Sequence, residues 1–196
     1  DILERTLKSF KEKLFKDHPI KLIINIDPVG EGKPQNEVLR VAKVFVSEVV
    51  YRCPEKPSFP KAFRWVWEQA EGPFIFHLED DWELIREVDL NDMIVLMEKY
   101  SNLAVLRLPY SPCKENNKSW GHFFPWNGEF YEVPAEMKGL LGFAGHPSLI
   151  RRSFMQIAMK LLTDAKNPEK SIKWRSEIGY GKFLQEFRHG VFGKAG

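Results

Sequence analysis

A chain of 196 residues with 43% hydrophobic and 29% charged side chains has the balance of one soluble globular domain with a sizeable core. A formal charge of only +2 gives no reason to expect nucleic-acid binding, and no apolar run is long enough to span a bilayer. Two cysteines, Cys53 and Cys113, make neither a metal motif nor a disulfide framework and read as free thiols in a reducing compartment. No signal peptide is visible. The chain starts at Asp1 without a Met, so the expectation is a single domain, 1–196, that is a fragment of a longer chain.

Residues 2–16 predict a helix, because Ile2, Leu3, Leu7, Phe10, Leu14 and Phe15 recur at helical spacing with lysines between. His18-Pro19 ends it. A β-branched run, 21–26, predicts a buried strand, stopped by a loop at 27–32 whose Pro and Gly mark it. A second helix is expected at 36–45 and a short strand at 47–52. The Pro-rich stretch 53–60 predicts a loop. Next come an aromatic-rich helix at 61–71, a stop at Gly72-Pro73 and a strand at 74–78. A helix is expected at 92–100 and a strand at 102–108. Residues 109–138 are polar, aromatic and irregular, which inside a compact domain points to function or mobility. Residues 139–145 are Gly-rich and lead into a strand at 148–150. A helix at 153–162, a charged loop at 166–173, a last helix at 177–187 and a Gly-rich end complete the chain. Helices alternating with strands predict α/β architecture with a largely parallel sheet.

The chemistry concentrates where the apolar strand Phe74-Ile75-Phe76-His77-Leu78 runs into Glu79-Asp80-Asp81. Three adjacent carboxylates repel one another unless a cation lies there. Hard oxygens at this density suit Mg²⁺ or Mn²⁺ shared with substrate phosphates. In open α/β sheets ligands bind at the carboxyl ends of strands. The alternative is an acidic cluster that caps the next helix or faces water.

These residues resemble the nucleotide-sugar half of a family-2-like glycosyltransferase of the GT-A fold. There, strand, acidic loop, helix, strand, helix, Gly and strand lead to an Asp-x-Asp-type motif. Here Leu22-Ile23-Ile24-Asn25-Ile26 ends in Asp27, and the helix with Lys61, Ala62, Phe63 and Arg64 leads through Ala70 and Gly72 to the strand and its acids. The pattern Glu-Asp-Asp-x-Glu is also similar to the metal motif of the N-acetylglucosaminyltransferase I family. The resemblance implies a GT-A (nucleotide-diphospho-sugar transferase) fold with a mixed, mostly parallel sheet flanked by helices. Residues 1–108 would form the nucleotide-sugar-binding half and 109–196 the acceptor-side half. It implies a hexosyltransferase-like enzyme using a UDP-sugar and Mn²⁺ or Mg²⁺, with a glycan, lipid or protein hydroxyl as acceptor. The expected location is cytoplasmic, at most peripheral to a membrane.

Carried over residue by residue, the resemblance puts Asp27 near the uracil or ribose and Lys61 or Arg64 near the base or phosphates. Asp81 becomes the direct metal ligand, with Glu79 and Asp80 touching ribose, sugar or metal-bound water. The segment 139–152 resembles the part that places small residues by the transferred sugar, which assigns Gly145 and His146 to the acceptor or sugar side. Trp120 and Trp126, aromatics among polar neighbours, are candidates to line a sugar or base site. The segment 176–182 resembles the one supplying the base in inverting members, and Glu177 is its only carboxylate. The other reading of Glu177 is a helix N-terminal Glu favoured by the dipole.

The chain departs from the family pattern in three ways. The strand that normally precedes the opening helix has no counterpart here. Arg64 stands where an Asn is typical. The Gln/Arg-x-x-Arg-Trp signature of processive synthases is absent, which argues against a polymerising synthase. His122, His146 and His189 are candidates to complete a metal shell, or ordinary hydrogen-bonded histidines, and His77 is expected to face the core. Trp82 either stacks on a donor sugar or covers the sheet edge. Arg151 and Arg152, with Lys114 and Lys118, are phosphate candidates or surface ion-pair partners. No P-loop, dinucleotide fingerprint or serine elbow is present. Two competing functions remain: a sugar-phosphate nucleotidyltransferase and a non-catalytic nucleotide-sugar-binding module.

Overall fold

The computed structural model describes residues 2–28, 35–109, 124–141, 145–164, 167–175 and 186–193. The chain divides into two compact units: Asp1–Glu71 with Glu79–Leu90, and Gly72–Leu78 with Asn91–Gly196.

In the first unit, helix α1 (Ile2–Lys13) buries Leu7 and Phe10, and helix α2 (Gln35–Phe45) buries Leu39, Val41 and Ala42. Strands β1 (Lys21–Asn25) and β2 (Glu48–Arg52) pair in parallel, from Lys21 opposite Glu48 to Asn25 opposite Arg52. Helix α3 (Phe59–Glu68) starts two residues before the expected Lys61, because Pro60 fits a first helical turn, where its missing N–H is not needed. Phe63 and Trp67 form its buried face, their ring centroids 4.6 Å apart. Residues 79–89 run without regular structure along α1.

The second unit is a five-stranded sheet with strand order β3-β6-β4-β7-β5. The strands are β3 (Phe74–His77), β4 (Leu103–Arg107), β5 (Tyr131–Glu132), β6 (Ser148–Arg151) and β7 (Arg188–Val191). β3, β4 and β7 point the same way, while β6 and β5 run against their neighbours. The mixed α/β architecture expected from the sequence is the observed one. Central strand β4 is buried along its whole length, which matches its near-continuous apolar sequence. Around the sheet lie α4 (Leu90–Lys99), α5 (Ala135–Leu141), α6 (Arg152–Ala158) with the 3-10 turn Met159–Leu161, and α7 (Pro168–Arg175). Met93, Met97, Phe154, Met155 and Ile172, each at most 1% exposed, pack the core.

Several expectations fail locally. The charged stretch 166–173 is not a loop, since α7 occupies most of it. Asn167 Oδ1 accepts the Glu169 N–H at 2.9 Å, and Pro168 opens the helix, so a side-chain cap and a first-turn proline start it. The Gly-rich stretch 139–145 begins inside α5. The Gly-rich end contains β7, where Gly190 is required by space: a Cβ there would lie 2.5 Å from Phe130 Cδ2. Within 109–138, Asn127-Gly128 makes a tight turn, with Gly128 at φ 103°, and β5 follows it. The helix expected at 177–187 falls almost wholly outside the described residues.

Candidate functional site

In the first unit the carboxyl ends of β1 and β2 carry a connected polar group. Asn25 Nδ2 donates to Asp27 Oδ1 at 2.9 Å, and Asn25 Oδ1 accepts from Arg52 Nε at 2.6 Å. Arg52 Nη2 donates to the Lys61 carbonyl at 2.6 Å, and its guanidinium lies 4.8 Å from the Trp65 ring centroid. Parallel register sets this up, because Asn25 and Arg52 are directly paired. Asp27 and the start of α3 are therefore held together through Arg52, a residue the sequence reading passed over. Lys61 has an exposed side chain, and Arg64 is half-buried one turn further along α3.

The acidic run is held by its backbone. Thr6 Oγ1 donates to the Asp80 carbonyl at 2.7 Å. Ser9 Oγ accepts the Leu84 N–H at 3.0 Å, and Lys13 Nζ donates to the Leu84 carbonyl at 2.8 Å. Thr6 and Ser9 are 1% and 6% exposed, polar residues on the otherwise apolar face of α1. Their position in the helical period was the available signal that this helix grips a polar segment. Asp80 and Asp81 are exposed, and Glu79 is half-buried.

Among the described residues, no three or more His, Cys, Asp or Glu side chains converge as a protein cage for a metal would require. Exposed Asp80 and Asp81 fit a different arrangement, in which one or two carboxylates share Mg²⁺ or Mn²⁺ with substrate phosphates that supply other ligands.

In the second unit a polar group sits on one face of the sheet. His77, Ser148 and Arg107 pair across β3, β6 and β4, so their side chains share a face. His189 pairs with Val105, two residues before Arg107, and joins the same face. Arg107, Ser148 and His189 are 1%, 0% and 2% exposed. Burial pulls the Arg107 guanidinium down to about 10, against the favourable charge of Glu169. Burial, then Arg107 and Lys138, hold the His189 imidazole neutral, with a pKa of about 3. His77 is half-buried, and burial likewise pushes its pKa down to about 4. Ser148 Oγ and His189 Nε2 are buried without a hydrogen-bond partner among the described residues.

The proposed acceptor-side residues lie beside this face. Gly145 is buried and donates its N–H to a Glu169 carboxylate oxygen. His146 is half-buried, and burial followed by Arg107 lowers its pKa. Arg107 and Glu169 were not singled out from the sequence. The signal was present: an Arg inside a continuously apolar strand needs a partner or a purpose.

Other candidates have structural roles. Arg151 donates Nε to the Leu103 carbonyl at 3.0 Å and Nη2 to the Tyr100 and Met97 carbonyls, tying the end of α4 to the sheet. Trp126 packs on Tyr131, ring centroids 5.0 Å apart, over the small core of Phe124, Val133 and Val191. Cys53 is a free, exposed thiol. Glu177, Trp120, His122, Cys113, Lys114 and Lys118 lie outside the described residues.

No protein-family model matches this sequence, and no curated protein does either. Solved structures do. Residues 1–349 of S. aureus TarS match with a TM-score of 0.67 at 12% identity, over 100% of this chain and 55% of that one. The fold is GT-A. The same TarS fragment in complex with UDP-GlcNAc matches this GT-A chain with a TM-score of 0.67 at 14% identity, over 98% of it and 52% of TarS. A CMP:2-keto-3-deoxy-manno-octonic acid synthetase complexed with CTP matches at 0.52 and 12% identity, over 100% of this chain and 79% of that one. The GT-A chain thus spans about half the length of the TarS fragments. No described helix is long and apolar enough to cross a membrane.

Proposed function

We propose that this chain is a glycosyltransferase that binds a nucleoside-diphosphate sugar, a UDP-sugar in the simplest case, and moves the sugar to a hydroxyl on a glycan, lipid or protein. The observation carrying this reading is the backbone-pinned acidic run after β3 in a GT-A fold, with exposed Asp80 and Asp81. The likeness to a structure containing UDP-GlcNAc supports the choice of donor.

Asp81 is the direct ligand of Mn²⁺ or Mg²⁺, and Asp80 and Glu79 orient ribose, sugar or metal-bound water. The metal supplies charge neutralisation on the diphosphate leaving group. Asp27, held by Asn25, faces the base or ribose, and Lys61 or Arg64 meets base or phosphates. Gly145 and His146, with Trp120, stand on the acceptor or sugar side, and Glu177 is the candidate base that takes the acceptor proton in an inverting reaction.

The likeness to the synthetase complexed with CTP favours one second reading, a sugar-phosphate nucleotidyltransferase. Calorimetric titration of UDP and a panel of UDP-sugars, with and without Mn²⁺, on the wild type and Asp81→Ala tests both. Metal-dependent binding of a UDP-sugar that the variant loses supports the transferase. Binding of CTP or UTP in preference to any nucleotide sugar supports the second reading. Binding indifferent to metal and to Asp81 overturns the assigned metal site.

A further inference from the structure

Asn25 and Arg52 lie opposite each other at the carboxyl ends of β1 and β2, where the Ile26 N–H also donates to the Arg52 carbonyl at 2.9 Å. Three contacts fix the Arg52 guanidinium. Nε donates to Asn25 Oδ1 at 2.6 Å, Nη2 donates to the Lys61 carbonyl at 2.6 Å, and the Trp65 ring centroid lies 4.8 Å away. One contact comes from β1 and two from α3.

A guanidinium can only donate. Arg52 therefore decides which way the Asn25 amide is turned: its oxygen faces Arg52, and its nitrogen is left for Asp27. Asn25 Nδ2 donates to Asp27 Oδ1 at 2.9 Å. Donation runs one way, from Arg52 through Asn25 to Asp27, and the Asp27 carboxylate ends the relay as an acceptor. Asp27 is half-buried, so part of it is open to a ligand. A carboxylate held there is matched by a group that brings a proton. Uracil carries a hydrogen on ring nitrogen N3, whereas cytosine carries a lone pair at that position.

We propose that Arg52 is a positioning residue that sets the hydrogen-bond polarity of the base subsite: through Asn25 it holds Asp27 as an acceptor, so the site takes a nucleobase whose ring nitrogen bears a proton and rejects one whose ring nitrogen bears a lone pair. The role rests on the nucleotide-sugar reading above, in which Asp27 faces the base, and it turns that reading into a choice between nucleotides.

Calorimetric titrations of UDP and CDP in Mn²⁺ test it, on the wild type, Arg52→Met, Asp27→Asn and the double variant Arg52→Met/Asp27→Asn. The wild type should bind UDP about tenfold tighter than CDP, and Arg52→Met should lose most of that preference through weaker UDP binding. Asp27→Asn gives the sharper result. Arg52 keeps the Asn25 nitrogen facing position 27, so the introduced amide turns its oxygen to Asn25 and presents its nitrogen to the base. The preference should then invert toward CDP, and it should vanish in the double variant, where the amides are free to flip. A purely structural Arg52 would weaken both nucleotides in equal proportion and produce no inversion. Should Arg52→Met fail to fold, the inversion in Asp27→Asn alone decides. Equal binding of UDP and CDP by the wild type, an unchanged preference in Arg52→Met, or an inversion that persists in the double variant overturns the role of Arg52. If metal-dependent binding is nevertheless lost in Asp81→Ala, the nucleotide-sugar reading itself survives. Binding of neither nucleotide by the wild type overturns both.

Discussion

The two units handle polar groups in opposite ways. In the first, the acidic run is fixed by backbone bonds to Thr6, Ser9 and Lys13, and the Asp80 and Asp81 side chains remain in water. In the second, Arg107, Ser148 and His189 are packed into the sheet face, and their chemistry is set by desolvation. The first arrangement leaves the carboxylates solvated at little folding cost, which is what the proposed metal and donor site requires. The second fixes protonation states and geometry but carries the cost of buried polar atoms, Ser148 Oγ and His189 Nε2, that lack a partner among the described residues. Substitutions of Arg107, Ser148 and His189 should therefore act mainly on stability, and those in the acidic run mainly on ligand binding.

The sharpest way to break the second unit is steric. In Gly190→Ala the new Cβ meets Phe130 Cδ2 at 2.5 Å and Cε2 at 2.8 Å, and the Phe130 ring is fully buried with no room to yield. Overpacking of this kind costs about 1–3 kcal/mol. Urea unfolding should show a lower midpoint with an unchanged slope, and an unaltered midpoint would contradict the packing of the Phe130 ring against β7.

Protonation gives the next largest effect. The ordinary His pKa is 6.5 and that of folded His189 about 3. Below pH 6.5 the unfolded chain takes up a proton that the native chain refuses until about pH 3. The stability His189 contributes is therefore complete above pH 6.5 and falls through that window by about 1.4 kcal/mol per pH unit at most. His189→Gln should flatten the acid limb of a stability–pH curve relative to the wild type. Parallel acid limbs would mean that His189 titrates normally in the folded protein.

A milder change separates the units again. Thr6→Val keeps the shape of α1 and removes the hydrogen bond to the Asp80 carbonyl, which should cost about 1 kcal/mol. Because the bond positions the acidic run, metal-dependent nucleotide binding should weaken as well. A stability loss with nucleotide affinity intact would show that the grip of α1 is only structural.

These contrasts also explain what the sequence made legible. Helices α1, α2 and α3 and strands β1 to β4 could be read because each has a clear period or a continuous apolar run bounded by Pro, Gly or Asp. β7 could not, because its Gly190 looks like a loop residue until the Phe130 ring that excludes any Cβ is known. α7 was hidden by its charges, although Asn167-Pro168 carried a cap signal. The acidic run was visible as charge, but its anchoring depends on contacts between residues 74 and 75 positions apart. Arg107 and Glu169 come from distant segments too, and only the folded chain brings their charges into interaction.

The smallest expected stability effect falls on the residues with the largest proposed role. Replacing exposed Asp80 and Asp81 together by Asn breaks no packing, and it removes two of three adjacent like charges. Stability without ligand should stay within about 0.5 kcal/mol of the wild type, with any shift toward greater stability as the repulsion is relieved. The difference should emerge on adding Mn²⁺ and a UDP-sugar. A ligand that binds only the native state stabilises it by about 2.7 kcal/mol at a hundredfold excess over Kd. The wild type should gain a rise in Tm under these conditions, and Asp80→Asn/Asp81→Asn should gain almost none. Equal gains in both proteins would move the metal and donor away from the acidic run, leaving its exposed carboxylates as a solvated loop on α1.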